Sequence, residues 1–165
     1  MSTPLAPIEA WFSHQGWTPM AFQRECWQAY LAGESGLLQV PTGSGKTYAA
    51  VMGPIAERLA ERQAEQQGER QGTSTTRGDV AASVQAVQNQ GQSSDTQARA
   101  GLHLLVITPL RALSRDLALA IEAPIQAMGW PLRVGIRNGD TSSHERSKQL
   151  RTPPEILITT PESLS

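Results

Sequence analysis

The sequence predicts an α/β domain built on a parallel sheet, and three observations carry that prediction. Apolar runs of strand length, Leu104-Leu105-Val106-Ile107 above all, are unbroken in the manner of strands buried on both faces. Segments of helical period separate these runs, so strands and helices alternate along the chain. A glycine-rich turn, Pro41-Thr42-Gly43-Ser44-Gly45-Lys46-Thr47, joins an apolar run to a helix.

The first helix is predicted over residues 21–32. Phe22, Cys26, Trp27, Tyr30 and Leu31 fall on one face of a 3.6-residue period there, and Gly33 supplies the stop. Residues 37–40 read as a short strand that leads into the glycine-rich turn. From Lys46 a helix is predicted to about Arg62, with Pro54 either kinking it or sitting near its start. Residues 63–100 are Gln, Ser, Thr, Gly and Ala with scattered charges, and no aromatic occurs between Tyr48 and Trp130. Such a stretch has too little apolar surface to offset the entropy of ordering it, which predicts a disordered insertion.

Order is predicted to return at Leu102. Residues 103–108 read as a strand, and 113–128 as a helix interrupted or ended near Pro124. Residues 132–136 form a further strand, 142–150 a charged helix and 156–159 a last strand, and Pro161 suits the first turn of another helix. The chain thus divides into residues 1–62, the insertion 63–100, and a continuation of the same domain over 101–165.

Composition narrows the function. Fourteen Lys and Arg face fifteen Asp and Glu, a net charge of −1, so contact with nucleic acid must come from a few placed groups rather than a positive coat. Cys26 is alone, which excludes an internal disulfide and suits a reducing compartment. Residues 1–9 lack the charged and apolar regions of a signal peptide. No apolar run approaches the roughly 20 residues of a membrane span. A soluble protein of the cytoplasm is the expectation.

The glycine-rich turn is a phosphate-binding loop, or P-loop, in its chemistry. Gly43 and Gly45 let the backbone take positive φ and bring its N–H groups against phosphate oxygens. The helix that opens at Lys46 adds the positive end of its dipole. Lys46 places a point charge on the β- and γ-phosphates of ATP, and the Thr47 hydroxyl can ligate Mg²⁺. Pro41, Thr42 and Ser44 complete the loop. Val40 stands where the strict pattern has glycine, at the end of the expected strand, where a side chain can be accommodated.

Three further motifs select among P-loop proteins. Upstream, Gly16-Trp17-Thr18-Pro19-Met20-Ala21-Phe22-Gln23 offers an amide for an adenine edge and an aromatic to stack on the ring, Trp17 ahead of Phe12. It resembles the Q-motif of superfamily 2 helicases, with Pro19 four residues before Gln23. Thr108-Pro109-Leu110-Arg111-Ala112-Leu113 and Thr159-Thr160-Pro161-Glu162-Ser163-Leu164 each follow a strand and can hold a nucleic-acid backbone. They look like motifs Ia and Ib of the same helicases.

A narrower resemblance lies in Phe22-Gln23-Arg24-Glu25, in Tyr30-Leu31-Ala32-Gly33-Glu34-Ser35-Gly36, and in Asn138-Gly139-Asp140-Thr141-Ser142-Ser143-His144-Glu145-Arg146. These look like the large helicase-related (Lhr) family, most of all its branch of DNA-ligase-associated DEXH-box helicases. The resemblance implies a RecA-like domain and ATP-dependent, 3′→5′ translocation on single-stranded or forked DNA. It further implies a role in DNA repair beside ligase and nuclease partners, near the bacterial nucleoid. It assigns DNA contacts to Thr108, Pro109, Arg111, Gly139, Thr141, Thr160 and Pro161. Asp140 has the wrong charge to touch phosphate and is expected to orient Thr141 or Arg146.

The acidic Asp-Glu-x-His or Asp-Glu-x-Asp motif that would hold Mg²⁺ and orient water does not occur. The domain is therefore expected to be truncated before that motif, open-edged and marginally stable. Two rival readings stay open: an RNA helicase of the same superfamily, and a regulatory module that binds ATP without turnover.

Overall fold

Residues 3–72 and 101–164 are described by the computed structural model. They form α1 (Ala6–His14), α2 (Ala21–Leu31), α3 (Lys46–Gly72), β1 (Leu104–Ile107), α4 (Arg111–Met128), β2 (Val134–Arg137), α5 (Ser143–Arg151), β3 (Ile156–Thr159) and a closing 3₁₀ turn (Pro161–Ser163). The three strands make one parallel sheet in the order β1-β3-β2. The expected α/β class and parallel sheet are therefore present.

Register decides which side of the sheet is core. Leu104, Ile156 and Val134 lie side by side, as do Val106, Ile158 and Ile136. All six belong to one apolar cluster with Ile8, Trp11 and Phe12 of α1, Trp27 of α2, Val51, Met52, Ile55, Ala56 and Leu59 of α3, and Ala118, Ile121 and Ile125 of α4. The alternate residues face the other way, and there Leu105 and Ile107 remain 40% and 53% exposed. Among the described residues β1 and β2 form the two edges of the sheet.

Several elements depart from the sequence prediction. Residues 37–40 form no strand: Leu37 is 92% exposed, and no strand among the described residues pairs with the segment. An apolar run becomes a strand only where a neighbour takes its N–H and C=O groups. Helix α1 was not expected, although Ile8, Trp11 and Phe12 stand at i, i+3 and i+4 and are all buried. Helix α3 continues to Gly72, ten residues past the expected end and into the segment read as disordered. The rest of that segment, 73–100, lies outside the described residues. Pro124 does not end α4, which closes instead at Gly129 in the left-handed conformation, φ +62°. Strand β2 falls two residues later than expected at its start and one at its end.

Helix α3 sets the geometry of everything that follows. The Tyr48 hydroxyl donates to the Ala120 carbonyl in mid-α4, while Leu59 and Arg62 line a cleft with Gly129 and Trp130 at the end of α4. The two helices thus run in the same direction, and both begin at the end of the sheet where the strands finish. At the opposite end Arg62 pairs with the buried carboxylate of Glu155, just ahead of β3. Over the 16 residues from Lys46 to Arg62 the helix spans roughly 24 Å.

Candidate nucleotide and nucleic-acid site

The P-loop takes the shape its glycines allow. Gly43 and Gly45 have φ of +79° and +84°, a region that costs other residues about 1–2 kcal/mol each. The Ser44 hydroxyl donates to the Pro41 carbonyl at 2.6 Å and closes the turn. Lys46, the first residue of α3, donates through Nζ to the Val40 carbonyl at 3.0 Å, so its ammonium lies over the loop. Thr47 is partly buried in the first turn of the helix, and Pro41, Thr42 and Gly43 are exposed. Successive N–H groups at a helix start, beside a cationic side chain, suit a polyphosphate.

Gln23 ties the upstream motif to this loop. Its side chain is buried, accepts the Met20 N–H at 2.9 Å through Oε1, and donates through Nε2 to the Gly45 carbonyl at 3.2 Å. It is thus a strut between α2 and the P-loop. The aromatic candidates separate by exposure: Phe12 is buried in the core, whereas Trp17 is 49% exposed. Trp17 rests edge-on against Trp11, with ring centroids 5.6 Å apart, and lies 6.4 Å from Tyr48. Of the pair, only Trp17 reaches the surface. Tyr48, next to Thr47, escaped the sequence analysis because a single aromatic after a P-loop carries no periodic signal. Cys26 packs against the core, as a helix-stripe residue should.

The three strand-end loops meet at the end of the sheet where α3 and α4 begin. Just past β1, Thr108 donates its N–H to the Thr159 carbonyl at 2.9 Å, and the Thr159 hydroxyl donates to the Arg137 carbonyl at 2.7 Å. Thr108 and Thr160 are buried, while Pro109, Arg111, Gly139 and Pro161 are exposed and Thr141 is partly so. The Thr160 hydroxyl lies 3.2 Å from that of Ser163. It also supports Glu162, whose carboxyl is held below its ordinary range by its own backbone N–H, the Thr160 hydroxyl and the Arg111 charge.

After β2 the chain turns on Asn138. Its Oδ1 accepts the Asp140 N–H at 3.0 Å, and its backbone N–H reaches the Thr141 hydroxyl at 2.9 Å. Arg146 closes the loop from α5, donating to the carbonyls of Asn138 and Thr141 at 3.0 and 3.1 Å. Asp140 does not orient Thr141 or Arg146, which corrects the sequence expectation. Arg146 is satisfied by carbonyls, and Asp140 instead accepts from Arg111 at 3.4 Å. No local pattern signals that contact, because the two residues are 29 positions apart.

A phosphate nest at the start of a helix that packs across a parallel sheet defines a P-loop nucleotide-binding domain. Within that class the chain belongs to the DEAD/DEAH box helicase family, which matches residues 20–165. It is 31% identical over 96% of its length to an ATP-dependent helicase, Lhr-Core protein 2, of Thermococcus barophilus, and 34% identical over 93% to the Lhr helicase/uracil glycosylase of Escherichia coli. The fold matches that of the Mycobacterium smegmatis helicase Lhr bound to ssDNA and AMP-PNP, with a TM-score of 0.66, 29% identity and 99% of this chain covered. The chain spans only 16%, 9% and 18% of those three proteins. Among the described residues no helix is long and apolar enough to cross a membrane.

Proposed function

We propose that the protein is an ATP-dependent DNA helicase, coupling ATP hydrolysis to 3′→5′ movement along single-stranded DNA and separation of the duplex. One observation carries the reading: the P-loop and the three strand-end loops sit at the same end of one sheet. Nucleotide and strand would then be gripped by loops that share a rigid support, as a motor requires.

The residues fit ATP and Mg²⁺. The backbone N–H groups of residues 43–47 would cradle the phosphates, Lys46 would meet the β- and γ-phosphates, and Thr47 would ligate the cation. ATP with Mg²⁺ supplies the phosphoryl-transfer chemistry. Gln23, buried with both ends of its amide engaged, would act on the nucleotide through the Gly45 backbone it braces, with Trp17 stacked on the base. At the strand-end loops Arg111 would pair with phosphate, and the exposed backbone at Pro109, Gly139 and Pro161 would follow the sugar-phosphate chain beside Thr108, Thr141 and Thr160. The resemblance to the ligase-associated branch supports a DNA-repair role beside ligase and nuclease partners in the bacterial cytoplasm, at the nucleoid.

The test is ATP turnover by the full-length protein with and without single-stranded DNA or RNA, beside its Lys46→Ala variant. DNA-stimulated turnover that vanishes in the variant is the expected result. Stimulation by RNA alone would move the substrate class, and nucleotide binding without turnover would replace the helicase by an ATP-sensing module.

A further inference from the structure

Arg111 stands where the strand-end loops meet, yet two acids face it. Its Nη1 donates to Asp140 Oδ1 at 3.4 Å, and its charge reaches Glu162 on the loop after β3. The side chains of Arg111 and Asp140 are 60% and 70% exposed, so the pair lies in the path of anything that approaches. The guanidinium rests on Gly139: a Cβ there would come within 2.6 Å of Arg111 Nη2 and 2.8 Å of Cζ. Glycine is thus the seat that lets an arginine from the first loop lie flat against the second.

A phosphate arriving at this end of the sheet would meet an arginine already paired. An ion pair this exposed is weak, so the arginine is shared between partners rather than locked. We propose that Asp140 sets the strength of the nucleic-acid grip by competing with the backbone phosphate for Arg111. Without a strand, the carboxylate keeps the guanidinium over Gly139; on binding, it yields the guanidinium. The inference rests on the reading of these loops as nucleic-acid contacts. It predicts that removing an attractive contact inside the protein tightens binding outside it. A carboxylate that merely repelled phosphate from a distance would give the same direction, but it would not depend on Arg111.

The experiment titrates a labelled oligothymidine with the full-length protein at several salt concentrations, for the unaltered protein, Asp140→Asn, Arg111→Gln and the double variant. Asp140→Asn should bind about two- to fivefold more tightly, the range an exposed pair can supply. Its slope of log affinity against log salt should steepen by up to about one, because Asp140 no longer competes with phosphate for Arg111. Arg111→Gln should weaken binding, and adding Asp140→Asn to it should change nothing. A full-sized gain that persists without Arg111 would make Asp140 a distant charge and overturn the proposal while leaving the DNA-binding reading intact. Unchanged affinity in Asp140→Asn would overturn it equally. An unaltered protein that binds no oligonucleotide even at low salt would remove both.

Discussion

Gln23 holds α2 and the P-loop together with the two ends of one amide: Oε1 accepts the Met20 N–H at 2.9 Å while Nε2 donates to the Gly45 carbonyl at 3.2 Å. The side chain is only 4% exposed, and the Gly45 carbonyl it meets also accepts the Ala49 N–H at 3.1 Å, so the strut ends on the first turn of α3. A helix start and a phosphate loop 22 residues apart are thereby set against each other by one residue.

Gln23→Ala should therefore weaken nucleotide binding about tenfold, since losing both hydrogen bonds of the strut costs roughly 1–3 kcal/mol. Gln23→Glu separates the two ends. It keeps an acceptor for Met20 but turns a carboxylate toward the Gly45 carbonyl, so thermal stability should survive better than affinity. Titration with a fluorescent ATP analogue, beside a melting curve, reads both. Unaltered affinity in either variant would remove Gln23 from the nucleotide site.

The two P-loop glycines should respond differently to alanine. A Cβ at Gly43 meets nothing within 4 Å, so the substitution carries the strain of positive φ alone, about 1–2 kcal/mol. At Gly45 the same strain is joined by a collision, because the new Cβ would lie 2.6 Å from Gln23 Nε2. Gly45→Ala should lose nucleotide binding and disturb α2, whereas Gly43→Ala keeps α2 in place. Amide-exchange protection of residues 21–31 in the two variants distinguishes them; equal protection would contradict the strut.

How much of this was legible beforehand depended on the range of the interactions. The P-loop could be read directly, since Gly43, Gly45 and Lys46 act through backbone conformation and charge at fixed local offsets. Strands β1 and β3 were equally plain, as apolar runs at the sheet's core. Leu37–Val40 had the same local look and failed as a strand because pairing needs a neighbour that sequence does not display. Helix α1 did carry a signal that went unread, Ile8, Trp11 and Phe12 on one face with Pro7 in the first turn, where its missing N–H costs nothing. The Arg111–Asp140 contact and the Gln23 strut join residues far apart in sequence, and such contacts appear only once the chain has folded.

Alkaline pH should loosen the packing of α2 on α3. The Tyr30 hydroxyl donates to Glu57 Oε2 at 2.7 Å, and its pKa is pushed up from 10.0 to about 12, by burial first and then by the Glu57 hydrogen bond and the charges of Glu57 and Glu61. A folded-state pKa above the unfolded one means the folded form keeps its proton longer. The stabilisation is complete below pH 10 and is lost as pH rises toward about 12. Following tyrosinate absorbance and helical circular dichroism together tests this. Glu57→Gln should ionise Tyr30 earlier and narrow the window, and Tyr30→Phe should abolish this part of the pH dependence. A Tyr30 that titrates identically with and without Glu57 would contradict the assignment.

Glu155 should be the most costly carboxylate to lose. It is nearly fully buried ahead of β3, pairs with Arg62 of α3, and accepts the Arg133 N–H at 3.0 Å, with Arg133 Nε at 3.4 Å. Its own carbonyl accepts from His103 and Leu104 at 2.8 and 2.9 Å, so one residue gathers α3, β1 and the entry to β2. Breaking a buried pair from one side typically costs 3–5 kcal/mol, and because Arg62 and Arg133 are partly solvated about 2–3 kcal/mol is expected for Glu155→Ala. Glu155→Gln keeps an acceptor for the Arg133 N–H but turns an amide NH2, a donor, toward Arg62, so it should cost less than Glu155→Ala by only about 1 kcal/mol. Urea denaturation reads both, as a lower midpoint at unchanged slope. If Glu155→Gln falls within the ~0.5 kcal/mol of an ordinary surface substitution, hydrogen bonding rather than charge holds this end of the sheet.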